Sequence, residues 1–110
     1  MLYQLSTLLV IVIGNTQYEW DLAHKALVSL AIESALFKIG KPTYGKVVDD
    51  LYEKYHCYIP DCYEHPEYLQ KILKGLYGNA HDVIVKSINK QLEEFSYKEP
   101  IKKFLEVISQ

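Results

Sequence analysis

The sequence predicts an all-α fold: a compact bundle of about five helices, preceded by an apolar N-terminal arm or short strand. Two observations carry this. From Thr16 onward, apolar residues recur three and four apart, which is the spacing of one helix face. Pro42, Pro66 and Pro100 stand where helices start, and Gly40 and Gly78 stand where they stop. At 110 residues the chain has the size of one domain. We divide it into an apolar arm, 1–15, and a single helical domain, 16–110.

Thr16 and Glu19 have capping-box spacing, so the first helix is expected to start near Gln17. Trp20, Ala23, Leu27, Leu30, Ser34 and Phe37 form its expected inward stripe. Leu22, Ala26, Ile32 and Leu36 widen that stripe until little polar surface is left, which predicts a central, buried helix. Gly40 ends it, and Pro42 opens the second.

The second helix sets Tyr44, Val47, Val48, Leu51, Tyr52 and Tyr55 on one continuous face. Lys46, Asp49, Asp50, Glu53 and Lys54 form the opposite face, expected to be solvated. The segment His56 to His65 breaks the period, and Pro60 and Asp61 mark a turn within it. Pro66 opens the third helix, with Glu67 placed against the positive end of its dipole. Tyr68, Leu69, Ile72, Leu73, Leu76 and Tyr77 are its inward residues.

Asn79 is expected to cap the fourth helix, with Asp82 in its first turn. Ala80, Val83, Ile84, Ile88, Leu92 and Phe95 line that helix's apolar side. Pro100 starts the last helix, with Ile101, Phe104, Leu105 and Ile108 inward.

The arm, Leu2 to Ile13, reads LYQLSTLLVIVI. No Lys or Arg precedes Lys25, so the basic start of a secretory signal is missing. The run falls short of a spanning helix and is interrupted by Gln4, Ser6 and Thr7. It reads as a strand, as an arm over the bundle or a partner, or as a partly disordered terminus. We expect no membrane span. With only two cysteines, a cytoplasmic location is the default.

Composition narrows the function. Hydrophobic residues at 49% and charged residues at 24% exclude a disordered chain. The 12 basic residues are all Lys, and the net charge is −2. Nucleic-acid binding is therefore disfavoured, because the commonest guanine contact is made by Arg and a negative surface repels phosphate. The short turn Gly40 to Pro42 nevertheless keeps an atypical helix-turn-helix regulator as an alternative. No glycine-rich phosphate loop occurs, so a nucleotide cofactor is not expected.

The densest polar cluster is His56, Cys57, Cys62 and His65. Thiolate and imidazole are the ligands that zinc prefers, so a small metal-binding protein is a further alternative. Adjacent ligands at His56 and Cys57 are geometrically awkward. A local Cys57–Cys62 disulfide is a second reading. A third makes both cysteines core residues and both histidines helix ends. His24 and His81 have no Ser or Cys at a spacing that implies contact, and Asp49, Asp50 and Glu53 read as a solvated face. No catalytic residue is assigned. Apart from zinc in this loop, no cofactor is expected. Tyr55, Tyr58, Tyr63 and Tyr68 crowd the same region, and rings with one polar tip suit an interface with a protein partner or a second copy.

Three segments carry a family resemblance: IESALFKIGKP (Ile32 to Pro42), LYEKYHCYIPDCYEHPEYL (Leu51 to Leu69) and LKGLYG (Leu73 to Gly78). The stretch resembles an archaeal signal-transduction output domain of the Nitrosopumilus/Nitrososphaera type. That resemblance implies a non-enzymatic helical module that passes a signal by contact with a partner or by self-association. It brings no active-site residue.

Overall fold

Gly40 makes the first corner of the chain. Its φ of +156° and ψ of 157° lie where a side chain would be strained. Its N–H donates to the Leu36 carbonyl at 3.1 Å, and its own carbonyl accepts from Thr43 and Tyr44 at 3.1 and 3.2 Å. One residue thus closes one helix and opens the next. The computed structural model describes residues 17–110, so the expectations for the arm 1–15 and for Thr16 lie outside the described residues.

Among the described residues five α-helices follow in order: α1 (Gln17–Ile39), α2 (Lys41–Tyr55), α3 (Pro66–Tyr77), α4 (His81–Leu92) and α5 (Glu99–Ile108). Three 3-10 turns join them, at Ile59–Tyr63, Gly78–Ala80 and Glu93–Phe95. Among the described residues there is no strand. Pro42, Pro66 and Pro100 each sit in the first turn of a helix, where a missing N–H costs nothing.

The fourth helix differs at both ends from the expectation. Asn79 does not cap it. Gly78, at φ +55°, coils instead with Asn79 and Ala80 into a 3-10 turn, and α4 begins at His81. At the other end Glu93–Phe95 tightens into a second 3-10 turn, so Phe95 falls outside the α-helix. Such turns satisfy polar groups that a helix end leaves unpaired.

α1 is the element on which the rest assembles. It packs against the Ile59–Tyr63 turn, α4, α2 and the edge of α5, while α3 joins α2 to α5. Val28, Ile32 and Leu36 of α1 meet Val47 and Leu51 of α2, Leu69, Ile72 and Leu73 of α3, Ile84, Ile88 and Leu92 of α4, and Ile101, Phe104 and Ile108 of α5. All are essentially buried. Burying each of these side chains contributes about 1.5–3 kcal/mol relative to exposure.

Two expectations are corrected. The inward row of α1 is His24, Val28, Ala31, Ile32, Ala35 and Leu36. The expected stripe lies on another side: Trp20, Ala23, Leu30 and Phe37 are exposed, and Leu27 and Ser34 are half-buried. α1 has two apolar rows, and the row of Val28, Ala31, Ile32, Ala35 and Leu36 is the one that is buried. The second correction concerns Asp50, expected in a solvated face but only 5% exposed. It lies beside Val47 and Leu51, and the Lys46 and Lys54 ammonium groups reach over it at 3.6 and 3.8 Å.

Candidate interaction surface

The His56–His65 segment is a plug as well as a connection. α2 ends on His56 in the left-handed conformation, φ 54°, with its N–H donating to the Tyr52 carbonyl at 2.9 Å. Asp61 then organises the 3-10 turn. Its carboxylate accepts from the Tyr58 N–H at 2.8 Å, and its carbonyl accepts from the His65 N–H at 3.0 Å. The turn thereby drives Ile59 and Cys62 into the core against α1.

The four candidate metal ligands are distributed accordingly. Cys62 is 1% exposed, and burial, with smaller effects from Cys57, Asp61 and Glu67, pushes its thiol up to about 12. Cys57 is half-buried, its thiol donating to the Tyr55 carbonyl at 3.3 Å. His56 closes α2, and His65 stands before α3 with Nδ1 3.3 Å from a Glu67 carboxylate oxygen. Neither cysteine is in a disulfide. Among the described residues no group of three or more His, Cys, Asp and Glu is placed to hold a metal ion.

Three of the four candidate interface tyrosines are engaged within the domain. Tyr55 and Tyr68 stack at 4.1 Å and 3°, and His65 continues the stack at 4.7 Å from Tyr68. Together with Tyr63, they pack on the buried core. Burial raises the Tyr63 hydroxyl pKa, aided by the negative charges of Asp21 and Glu64. Only Tyr58 is largely open, at 60% exposed, with its ring edge-to-face on Tyr52 at 5.6 Å. Stacked tyrosines stiffen the corner between α2 and α3; they do not offer a wide surface.

The wide apolar surface is on α1. Trp20, Leu30 and Phe37 are 45%, 62% and 47% exposed. Phe37 stacks on Tyr44 at 4.2 Å and 16°, and the Tyr44 hydroxyl reaches Glu33 at 3.4 Å. The Lys98 ammonium lies 4.8 Å from the Trp20 ring centre. The residues of this face were named from the sequence, but as core. Glu33 and Lys38, which border it, were not singled out, and Tyr44 was named only as part of the apolar face of α2. Both rows repeat in the same way, so the sequence alone does not tell them apart: the buried His24, Val28, Ala31 and Ala35 step by four, three and four. Trp20, Ala23, Leu27, Leu30, Ser34 and Phe37 alternate steps of three and four, the pattern of a helix–helix seam.

His24 lies on the inward row of α1, 7% exposed, with neither ring nitrogen hydrogen-bonded. His81 opens α4, its Nδ1 3.1 Å from the Gly78 carbonyl oxygen. An open groove of about 510 Å³ between α4 and α5 is bordered by Asn89, Ser96, Lys102 and Glu106 and has no His or Cys in its lining. Among the described residues no helix is long and apolar enough to cross a membrane. No family model, curated protein or solved structure matches the chain.

Proposed function

We propose that this chain is a non-enzymatic helical interaction module that acts by contact with a protein partner or by self-association. The observation that carries the reading is the apolar outer face of α1. A monomer rarely exposes a row of large apolar side chains without using it, and this row holds Trp20, Leu30 and Phe37 over more than four helical turns. The face sits on the helix that organises the whole core, so an event at the face is mechanically continuous with the domain. The resemblance of Ile32 to Gly78 to archaeal signal-transduction output domains gives the reading its direction: an output module of signal transduction or regulation.

The test is site-specific photo-crosslinking in the native cell. A photoreactive phenylalanine analogue replaces Leu30 in the full chain, or Lys71 as a control on the exposed side of α3. A discrete adduct at position 30 with none at 71 is the expected result. Equal or absent labelling at both positions removes the interaction reading.

A further inference from the structure

The outer face of α1 carries more than hydrophobicity: its spacing and flanking charges specify a partner. Trp20, Leu27 and Ser34 are seven apart, and so are Ala23, Leu30 and Phe37. This is the a/d pattern of a coiled-coil seam, three repeats deep. The inward row of α1 points elsewhere, and of the apolar seam residues Trp20, Leu30 and Phe37 are exposed while Leu27 also touches the domain's own core.

The charges beside the seam then decide orientation. In the same register Glu19, Ala26 and Glu33 precede the a positions, and His24, Ala31 and Lys38 follow the d positions. His24 and Ala31 face the core of their own domain; Lys38 stays outward. In a parallel pair, the residue before an a position meets the residue five further on in the other helix. Glu33 then meets Lys38 of the partner subunit, and Lys38 meets the partner subunit's Glu33. An antiparallel pair brings each row against itself, setting like charges together. Glu33 is already held at the seam's edge by the Tyr44 hydroxyl at 3.4 Å.

We infer that α1 pairs in parallel with α1 of a second copy of this chain, through Trp20, Leu27, Leu30 and Phe37 with Glu33–Lys38 bridges across the seam. This rests on the interaction reading above and names the partner. Ala23 and Ser34 are small and let the two helices approach closely. From Trp20 to Phe37 the seam runs about 26 Å along α1. Pairing two such faces hides on the order of 1,000 Å² in total, at the low end of specific interfaces.

Sedimentation equilibrium of the full chain tests this, with circular dichroism confirming helicity in each variant. The wild type is expected to be a dimer at about 100 µM, and Leu30→Glu a folded monomer with Kd raised at least about tenfold. Glu33→Lys weakens the dimer and Glu33→Lys with Lys38→Glu restores it. In a Cys57→Ser background, Ser34→Cys cross-links under oxidant, because only a parallel pair brings position 34 to its own copy. A monomeric wild type, a dimer that survives Leu30→Glu, or a dimer that fails to cross-link at 34 each overturns the inference. An adduct at position 30 with a different protein, alongside a monomeric wild type, sinks self-pairing and leaves the interaction reading standing.

Discussion

Replacing His24 by Leu is expected to stabilise the protein. The imidazole is 7% exposed and sits in the inward row of α1, one turn from Val28 and 6.1 Å from the Trp20 ring. A neutral imidazole carries one donor and one acceptor. Both nitrogens are buried, and neither has a partner. A buried polar group left without its hydrogen bond costs about 1–3 kcal/mol, whereas an apolar group of similar volume costs nothing of that kind. Leu is close to His in size and is a better helix former by a few tenths of a kcal/mol. His24→Leu should therefore raise the unfolding free energy by about 1–3 kcal/mol. For a domain of this size each kcal/mol moves Tm by about 4–8 °C.

Urea unfolding followed by circular dichroism at one fixed protein concentration measures it, since any self-association would add a concentration-dependent term. The midpoint should move up with the slope unchanged. His24→Gln, which keeps a buried amide, should show none of the gain. A loss of 1 kcal/mol or more in His24→Leu, or equal effects of Leu and Gln, would show that the ring has a partner in solution and refute the reasoning.

Two further predictions concern buried polar groups. The Cys62 thiol ordinarily ionises near 9.0 but is held to about 12 in the fold. Above pH 9 the unfolded chain thus binds fewer protons than the folded one, so stability is full below about 9 and falls as pH rises toward about 12. The ceiling of this effect is on the order of 4 kcal/mol. Tyr63 and Tyr44, also raised chiefly by burial, act in the same direction. Cys62→Ala should flatten the alkaline loss, and Ellman's reagent at pH 8 should label Cys57 alone until denaturant is added; two reactive thiols in the native protein would contradict the burial of Cys62. Asp50→Asn should cost about 0.5–1.5 kcal/mol at low salt, since it removes the attraction to Lys46 and Lys54, both largely exposed, at 3.6 and 3.8 Å. The gap should close in 1 M NaCl, where exposed ammonium groups are screened. A salt-independent gap would assign the cost to packing instead.

The candidate loop shows where local reading stops. That His56 and His65 stand at helix ends follows from Pro60, Asp61 and Pro66, all adjacent in sequence. That Cys62 enters the core while Cys57 stays at its edge follows from the hydrogen bonds of Asp61 and from α1, more than twenty residues upstream. The tyrosines are similar. Their crowding is visible in the sequence, but the Tyr55–Tyr68 stack needs α2 and α3 to meet at one corner. The exposed apolar row of α1 was legible residue by residue, but it was expected to face inward.

Periodicity, together with Gly40, Gly78 and three first-turn prolines, was enough to define the number, order and approximate limits of the helices, because those signals act within a turn or two of backbone. Which row of α1 turns inward, why Asp50 is covered and which aromatic rings stay outside were decided by packing. α1 is apolar on nearly every side, so hydropathy gives its orientation no preferred direction. Only the fit of Val28, Ala31, Ile32 and Ala35 against elements distant in sequence selects the buried side, leaving Trp20, Leu30 and Phe37 outward.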